Sequence, residues 1–362
     1  MYVVTNRTLD PTNKGLTIFG RTPNERGPNE LRLVAVTRRG GKYQTDLLAD
    51  QLSREAIQDI NNRHGLDLDP AGTYYASLRV ACELMEQARK DKRHVLIYVH
   101  GYNNDMGDIL ATAEAVEALY PVIVVPFSWP ANGGGAVTGT LSYLDDKRDA
   151  RVSMDALNRF FAKVRDYHEL LTHTRRAQLW GRATSEHQAN PGAARERYAE
   201  LLAEDCEVTV NLMCHSMGNY VLKYALGPSG AAARDLVFDN VSLVAADTNN
   251  PGHEQWVERI QVRSRLYISI NEDDYALGWS RRKPGEAQQE RLGHYLKNLI
   301  ARNARYVDVT GAPWVRNDHA YFKGKPAEKN AALRAFFTAA FTGGRAEADL
   351  RYIPDINAYR PK

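Results

Sequence analysis

The chain alternates between short, continuously apolar runs and amphipathic stretches long enough to be helices, and this alternation limits its fold more than any other feature. HVLIYVH, PVIVVPFSW, EVTVNLM, VSLVAAD, RLYISIN and RYVDVT are each bounded by turn-forming or polar residues. Runs of this kind suit strands buried on both faces of a sheet. Around them lie DILATAEAVEALY, the long segment DKRDARVSMDALNRFFAKVRDYHELL, AARERYAELLAED, a polar stretch near 286–301 that predicts a helix, and EKNAALRAFFTAAF. Strands joined through helices form a mostly parallel sheet with helices on both faces. Ligands of such sheets bind beyond the carboxyl ends of the strands. The residues that follow each strand are therefore the ones to inspect.

Ahead of this alternation, MYVVT and LRLVAVT predict edge strands near the start of the sheet. Residues 45 to 92 read as helical, through LLADQL, SREAIQDINNRH and TYYASLRVACELMEQARKDK. No internal repeat and no interdomain linker is visible. We expect one domain over 1–362, with 131–205 as a helical insert or cap. A net charge of +3 with basic residues spread along the chain gives no reason to expect a nucleic-acid partner. Cys82, Cys206 and Cys214 form neither a zinc spacing nor a redox pair, and a sparse, odd set suits a reducing compartment. No apolar run approaches the roughly 18 residues of a membrane span. MYVVTNRTLD lacks the pattern of an export signal. The expectation is a cytoplasmic protein with no cofactor, no metal and no stable membrane insertion, and self-association as a homodimer stays open.

After EVTVNLM comes Cys214-His215-Ser216-Met217-Gly218-Asn219. A serine at a sharp strand-to-helix turn has its hydroxyl lifted from the sheet, and small residues are wanted two positions to either side. Gly218 meets that need, while Cys214 is small but not glycine. After HVLIYVH comes GYNND, where Gly101 lets the backbone approach a ligand closely. The N–H groups of Tyr102 and Met217 are then candidates for an oxyanion hole, and His100 is expected to hydrogen-bond within its own loop. RLYISIN is followed by Glu272-Asp273-Asp274, of which Asp274, next to YAL, is best placed to be buried against a histidine. Asp247, closing VSLVAAD, is its main rival, and Asp273 the third choice. His319 lies on the loop after RYVDVT, whereas His168, His173, His187, His253 and His294 read as surface or packing residues. Trp129, Tyr102 and Tyr143 are candidates to line an apolar substrate pocket. The order Ser216, Asp274, His319 is that of α/β-hydrolases and not of the two other common serine-protease arrangements.

The sequence also resembles the α/β-hydrolases of the domain-of-unknown-function 900 group, an esterase/lipase-like family. The resemblance is carried by VVTNR, VLIYVHGYNND, VPFSWP, LMCHSMGNYVL, LVAADTNN, YISINEDDYALGWS, RLGHY and DHAYF, in that order from about residue 2 to 323. It implies a serine hydrolase with Ser216 as nucleophile, an acid within EDDYAL and His319 as base. Members often carry alanine where Cys214 stands. Ala246 replaces a proline of the family pattern. Together the residues and the resemblance predict a carboxylic-ester hydrolase acting on a small-molecule ester. Thioesterase or acyltransferase chemistry on the same three residues, and a non-catalytic binding protein on a hydrolase scaffold, are the alternatives.

Overall fold

The computed structural model describes residues 1–362 except 28–29, 132–140, 206, 228–234 and 281–288, and of 141–145 it describes the backbone alone. The amino-terminal segment supplies β1 (Tyr2–Thr5), the small pair β2 (Arg7–Leu9) and β3 (Phe19–Pro23), then β4 (Arg32–Arg39) and β5 (Lys42–Leu47). Two helices follow, α1 (Arg54–His64) and α2 (Ala76–Asp91). Ser53 caps the first of them through its side chain, and Gly65 ends it in the left-handed conformation. Then come β6 (His94–Val99), α3 (Met106–Leu119) and β7 (Val122–Ser128). The helical region holds α4 (Leu141–Val152), α5 (Met154–Glu186) and α6 (Pro191–Glu204). Beyond it lie β8 (Val210–His215), α7 (Gly218–Ala225), β9 (Phe238–Val244), α8 (Glu254–Val257), β10 (Val262–Ile270) and α9 (Tyr275–Ser280). The chain ends with β11 (Ala304–Asp308), α10 (Gly324–Lys329), α11 (Ala331–Phe341), β12 (Leu350–Ile353) and β13 (Ala358–Pro361).

Among the described residues, all strands but β2 and β3 join one sheet in the order β12-β13-β11-β10-β9-β8-β6-β7-β1-β4-β5. Every pairing from β1 across to β13 is parallel, and only the outermost strands run antiparallel. Side chains alternate between the two faces along each strand. Val95, Ile97 and Val99 pack with α1, α2, α5, α7 and α8, while Leu96 and Tyr98 pack with α3, α10 and α11. This large, mostly parallel sheet with helices on both sides is the architecture of an α/β hydrolase. From β6 the chain steps outward to β7 and then returns past β6 to β8, so the strand order reverses at β6 and β8. That reversal opens the crevice in which open α/β sheets bind ligands. No described helix is long and apolar enough to cross a membrane.

MYVVT is not an edge strand: β1 lies between β7 and β4, with Val3 and Val4 buried. One edge is β5, whose last three residues fall in the 45–92 stretch that reads as helical, and its alternating half-exposed pattern is that of a strand with one face in water. Residues 289–301 form only a single helical turn at Leu292–His294. A Cβ at Gly293 would overlap the backbone of Ala245 and Ala246, so this segment is laid flat against the end of β9. The strands β12 and β13 were not anticipated. The long helical stretch is two helices parted at Ser153, and the first half of α5 is a sheet-packing helix. Leu157, Phe160 and Phe161 belong to the main core, whereas Leu179 and Ala183 pack with Leu201 of α6 in a cluster of their own.

Candidate active site

Ser216 follows β8 directly and adopts φ +53, a left-handed conformation that costs a non-glycine residue of order 1 kcal/mol or more. The surroundings hold it there. Ser216 N donates to Val244 O at 3.0 Å, and Ser216 O accepts from Asn219 N at 3.1 Å and Asp247 N at 3.2 Å. The Asn219 side-chain amide donates to the carbonyl oxygens of both Cys214 and Ser216 at 3.0 Å. Two glycines make the close approach possible. A Cβ on Gly101 would lie 2.8 Å from Ser216 Cβ, and one on Gly218 would collide with Val99 O and sit 2.8 Å from His100 O. Gly218→Ala should therefore push α7 away from β6. We expect a loss of roughly 1–3 kcal/mol in urea unfolding together with reduced activity, and an unchanged midpoint would refute this account of the elbow.

Asp274 and His319 come together from separate loops. Asp274 Oδ2 lies 2.7 Å from His319 Nδ1, and Asp274 Oδ1 accepts from Leu277 N at 3.1 Å in the first turn of α9. The Asp274 side chain is fully buried, whereas that of His319 keeps 26% of its surface exposed. The His319 loop is anchored by Asn271, whose side-chain amide donates to Arg316 O at 2.9 Å and Asp318 O at 3.3 Å. Burial alone would depress the His319 pKa. The Asp274 carboxylate, through its charge and its hydrogen bond, outweighs burial, and Asp247 and Asp318 add to it, so the net shift is upward.

His215 packs against the His319 loop. The His215 and His319 rings are 4.7 Å apart, and His215 Nε2 donates to His319 O at 3.0 Å. Burial, then the neighbouring His319, holds His215 well below the usual histidine range, so it braces the loop as a neutral ring. The sequence reading gave His215 no role. Its signal is positional, since side chains alternate between faces along β8, and the His215 ring packs against Phe322 with centroids 5.1 Å apart. Among the described residues no hydrogen bond joins the Ser216 hydroxyl to the His319 ring. Such contacts are often long without substrate and tighten when it binds.

The rival acids sit differently. Asp273 is exposed. Asp247 is buried and engaged elsewhere, with Oδ1 accepting from Ser280 Oγ at 2.6 Å and facing Arg291 Nε at 3.0 Å. Arg291 also donates to Asn249 Oδ1 at 2.6 Å. This cluster ties the turn behind Ser216 to the end of α9, the helix that Asp274 opens.

On the other wall, His100 is buried with Nδ1 2.9 Å from Gly101 O, and its ring stacks on Trp129. Burial, and then the charge of Arg7, lower its pKa to about 3. It is thus a neutral brace of its own loop, as the sequence suggested. Trp129 does not line an open pocket: it is fully buried, and its indole N–H donates to His100 O at 2.9 Å. Tyr102 is half-buried beside Gly101, and the Asn104 side chain donates to its carbonyl oxygen at 2.8 Å. Met217 stands at the amino end of α7 with helical backbone angles, and its N–H has no acceptor among the described residues. The side chain of Tyr143 lies outside the described residues. Arg7, from the VVTNR stretch, is buried and reaches Ser128 Oγ at 2.8 Å and Ala131 O at 3.3 Å, which binds the ends of β1 and β7 together. Cys214 is fully buried, and burial raises its thiol pKa far above the ordinary value. No group of residues able to hold a metal ion occurs among the described residues.

Compared with known proteins, residues 79–183 match the model of a family described as "Alpha/beta hydrolase of unknown function (DUF900)". This is the family that the motifs of the sequence resemble. The matched stretch covers most of α2, β6 with its HGYNN turn, α3, β7, α4 and nearly all of α5, and it ends before Ser216. No curated protein and no solved structure matches the chain.

Proposed function

We propose that this α/β hydrolase is a serine-dependent carboxylic-ester hydrolase that works through an acyl-enzyme. The observation that carries the reading is the 2.7 Å contact between His319 Nδ1 and buried Asp274, on loops that follow later strands of the sheet in which β8 ends at the strained Ser216. With Nδ1–H donating to Asp274, the other ring nitrogen, Nε2, carries the lone pair that accepts the Ser216 proton. Ser216 Oγ attacks the ester carbonyl, and the N–H groups of Met217 and Tyr102 stabilise the oxyanion. His319 then protonates the leaving alcohol. In the second half it deprotonates water, which attacks the acyl-enzyme and releases the carboxylic acid. Asp274 fixes the tautomer and stabilises the imidazolium as it forms. The ester class itself comes from the resemblance to esterase/lipase-like proteins.

A fluorophosphonate probe tests the reading directly. One equivalent should attach, and peptide mapping should locate it on Ser216. A protein that stays unlabelled, or is labelled at another residue, would overturn it.

A further inference from the structure

A second site lies on the α2 and α5 face of the sheet, away from Ser216. It is a cavity of about 360 Å³, within the range of small-molecule sites and far larger than the voids of a packed interior. Its deep wall is the buried row Val95, Ile97, Val125 and Val210. Val95 and Val210 face each other at the start of β6 and β8, which places the cavity toward the amino ends of the strands. Ser216 follows β8 six residues beyond Val210, roughly 20 Å at strand rise. None of Ser216, Asp274, His319 or Tyr102 lines it.

The opposite wall comes from Val80, Ala81 and Leu84 of α2 and Phe160 and Val164 of α5. Ser77 and Tyr167 bridge these helices, their hydroxyl oxygens 2.7 Å apart. The polar groups gather at one side. Lys163 is half-buried there, with its ammonium 5.3 Å from the ring centre of Tyr75 and 5.7 Å from that of Tyr167. Among the described residues it has no carboxylate partner. The acidic groups of the rim, Glu30 and Asp50, are both held by Arg32. The cavity thus offers an apolar interior and, at its edge, the Lys163 ammonium, with Arg159 as a further cation of the lining.

We propose that this cavity binds a single-chain amphiphile with an anionic head, a fatty-acid-like carboxylate whose chain lies along the valine floor and whose head meets Lys163. The site stands independently of the chemistry assigned to Ser216. The test uses the full chain with 11-(dansylamino)undecanoate as fluorescent reporter and dodecanoate and dodecanol as competitors. Dodecanoate should displace the reporter at least tenfold more strongly than dodecanol. Lys163→Glu should weaken dodecanoate at least tenfold while p-nitrophenyl acetate turnover stays within twofold. Ala81→Phe should fill the cavity and abolish reporter binding, and should it fail to fold, Lys163→Glu decides alone. Protein already modified by a fluorophosphonate should bind the reporter as before. The proposal is overturned if dodecanoate does not compete up to its solubility limit, if dodecanol competes equally, if Lys163→Glu has no effect, or if the fluorophosphonate removes binding.

Discussion

Ser216→Ala is expected to lower kcat on p-nitrophenyl butyrate by about a million-fold, or to the background rate if that is reached first, with the protein still folded. In the proposed mechanism, loss of the Ser216 hydroxyl removes the acyl-enzyme route and leaves only what the oxyanion donors and binding contribute. The fold should survive because the substitution keeps the Cβ that Gly101 accommodates and leaves every backbone hydrogen bond of the turn in place. Alanine at φ +53 carries the same backbone strain as serine, so the thermal midpoint should move little. Cys214→Ala is the matched control. That thiol is buried and its pKa is raised, which keeps it from acting as a nucleophile, and the variant should retain its rate within a few-fold. A Ser216→Ala protein that kept more than a hundredth of the parent rate would remove serine chemistry from consideration.

What could be read from the sequence follows what is local. The strands β6 to β11 each carry a mostly apolar run, and such a run suits the middle of a parallel sheet covered on both faces. The same logic put Ser216, Asp274 and His319 at successive strand ends. It fell short where the signal was shared between distant residues. The edge strand β5 alternates weakly and offers little apolar content to detect. RLGHY reads as a helix until Gly293 is seen pressed on the backbone of Ala245 and Ala246. The strand-end position of Trp129 suggests a pocket lining, and only the folded chain shows that it is fully buried and stacked on His100. Asp247 remained a rival acid for the same reason: its partners Ser280 and Arg291 lie 33 and 44 positions further along.

Asp274 and Asp247 are therefore separable by experiment, and Asp274→Asn should give the second largest loss of rate. An amide in place of the carboxylate stabilises the wrong imidazole tautomer and no longer compensates the imidazolium, which in serine triads costs about 10⁴ in kcat. The pH profile carries an independent signature. In the proposed mechanism His319 acts as a base only when neutral, so kcat/KM should rise with pH through a single midpoint. Because the net shift of His319 is upward, the midpoint of the parent protein should lie above the ordinary histidine value of about 6.5. Removing the Asp274 charge and hydrogen bond leaves burial as the dominant influence, which lowers the pKa of a histidine. The residual activity of Asp274→Asn should then titrate at a lower pH than that of the parent. Asp247→Asn should act differently. It strips the carboxylate from an Arg291 side chain that is only 2% exposed, so its main effect should be a stability loss of about 3 kcal/mol. The midpoint should move much less than in Asp274→Asn, since Asp247 contributes less than Asp274 to the His319 shift. A 10⁴ loss with a lowered midpoint in Asp247→Asn, and near-normal turnover in Asp274→Asn, would transfer the role of acid to Asp247.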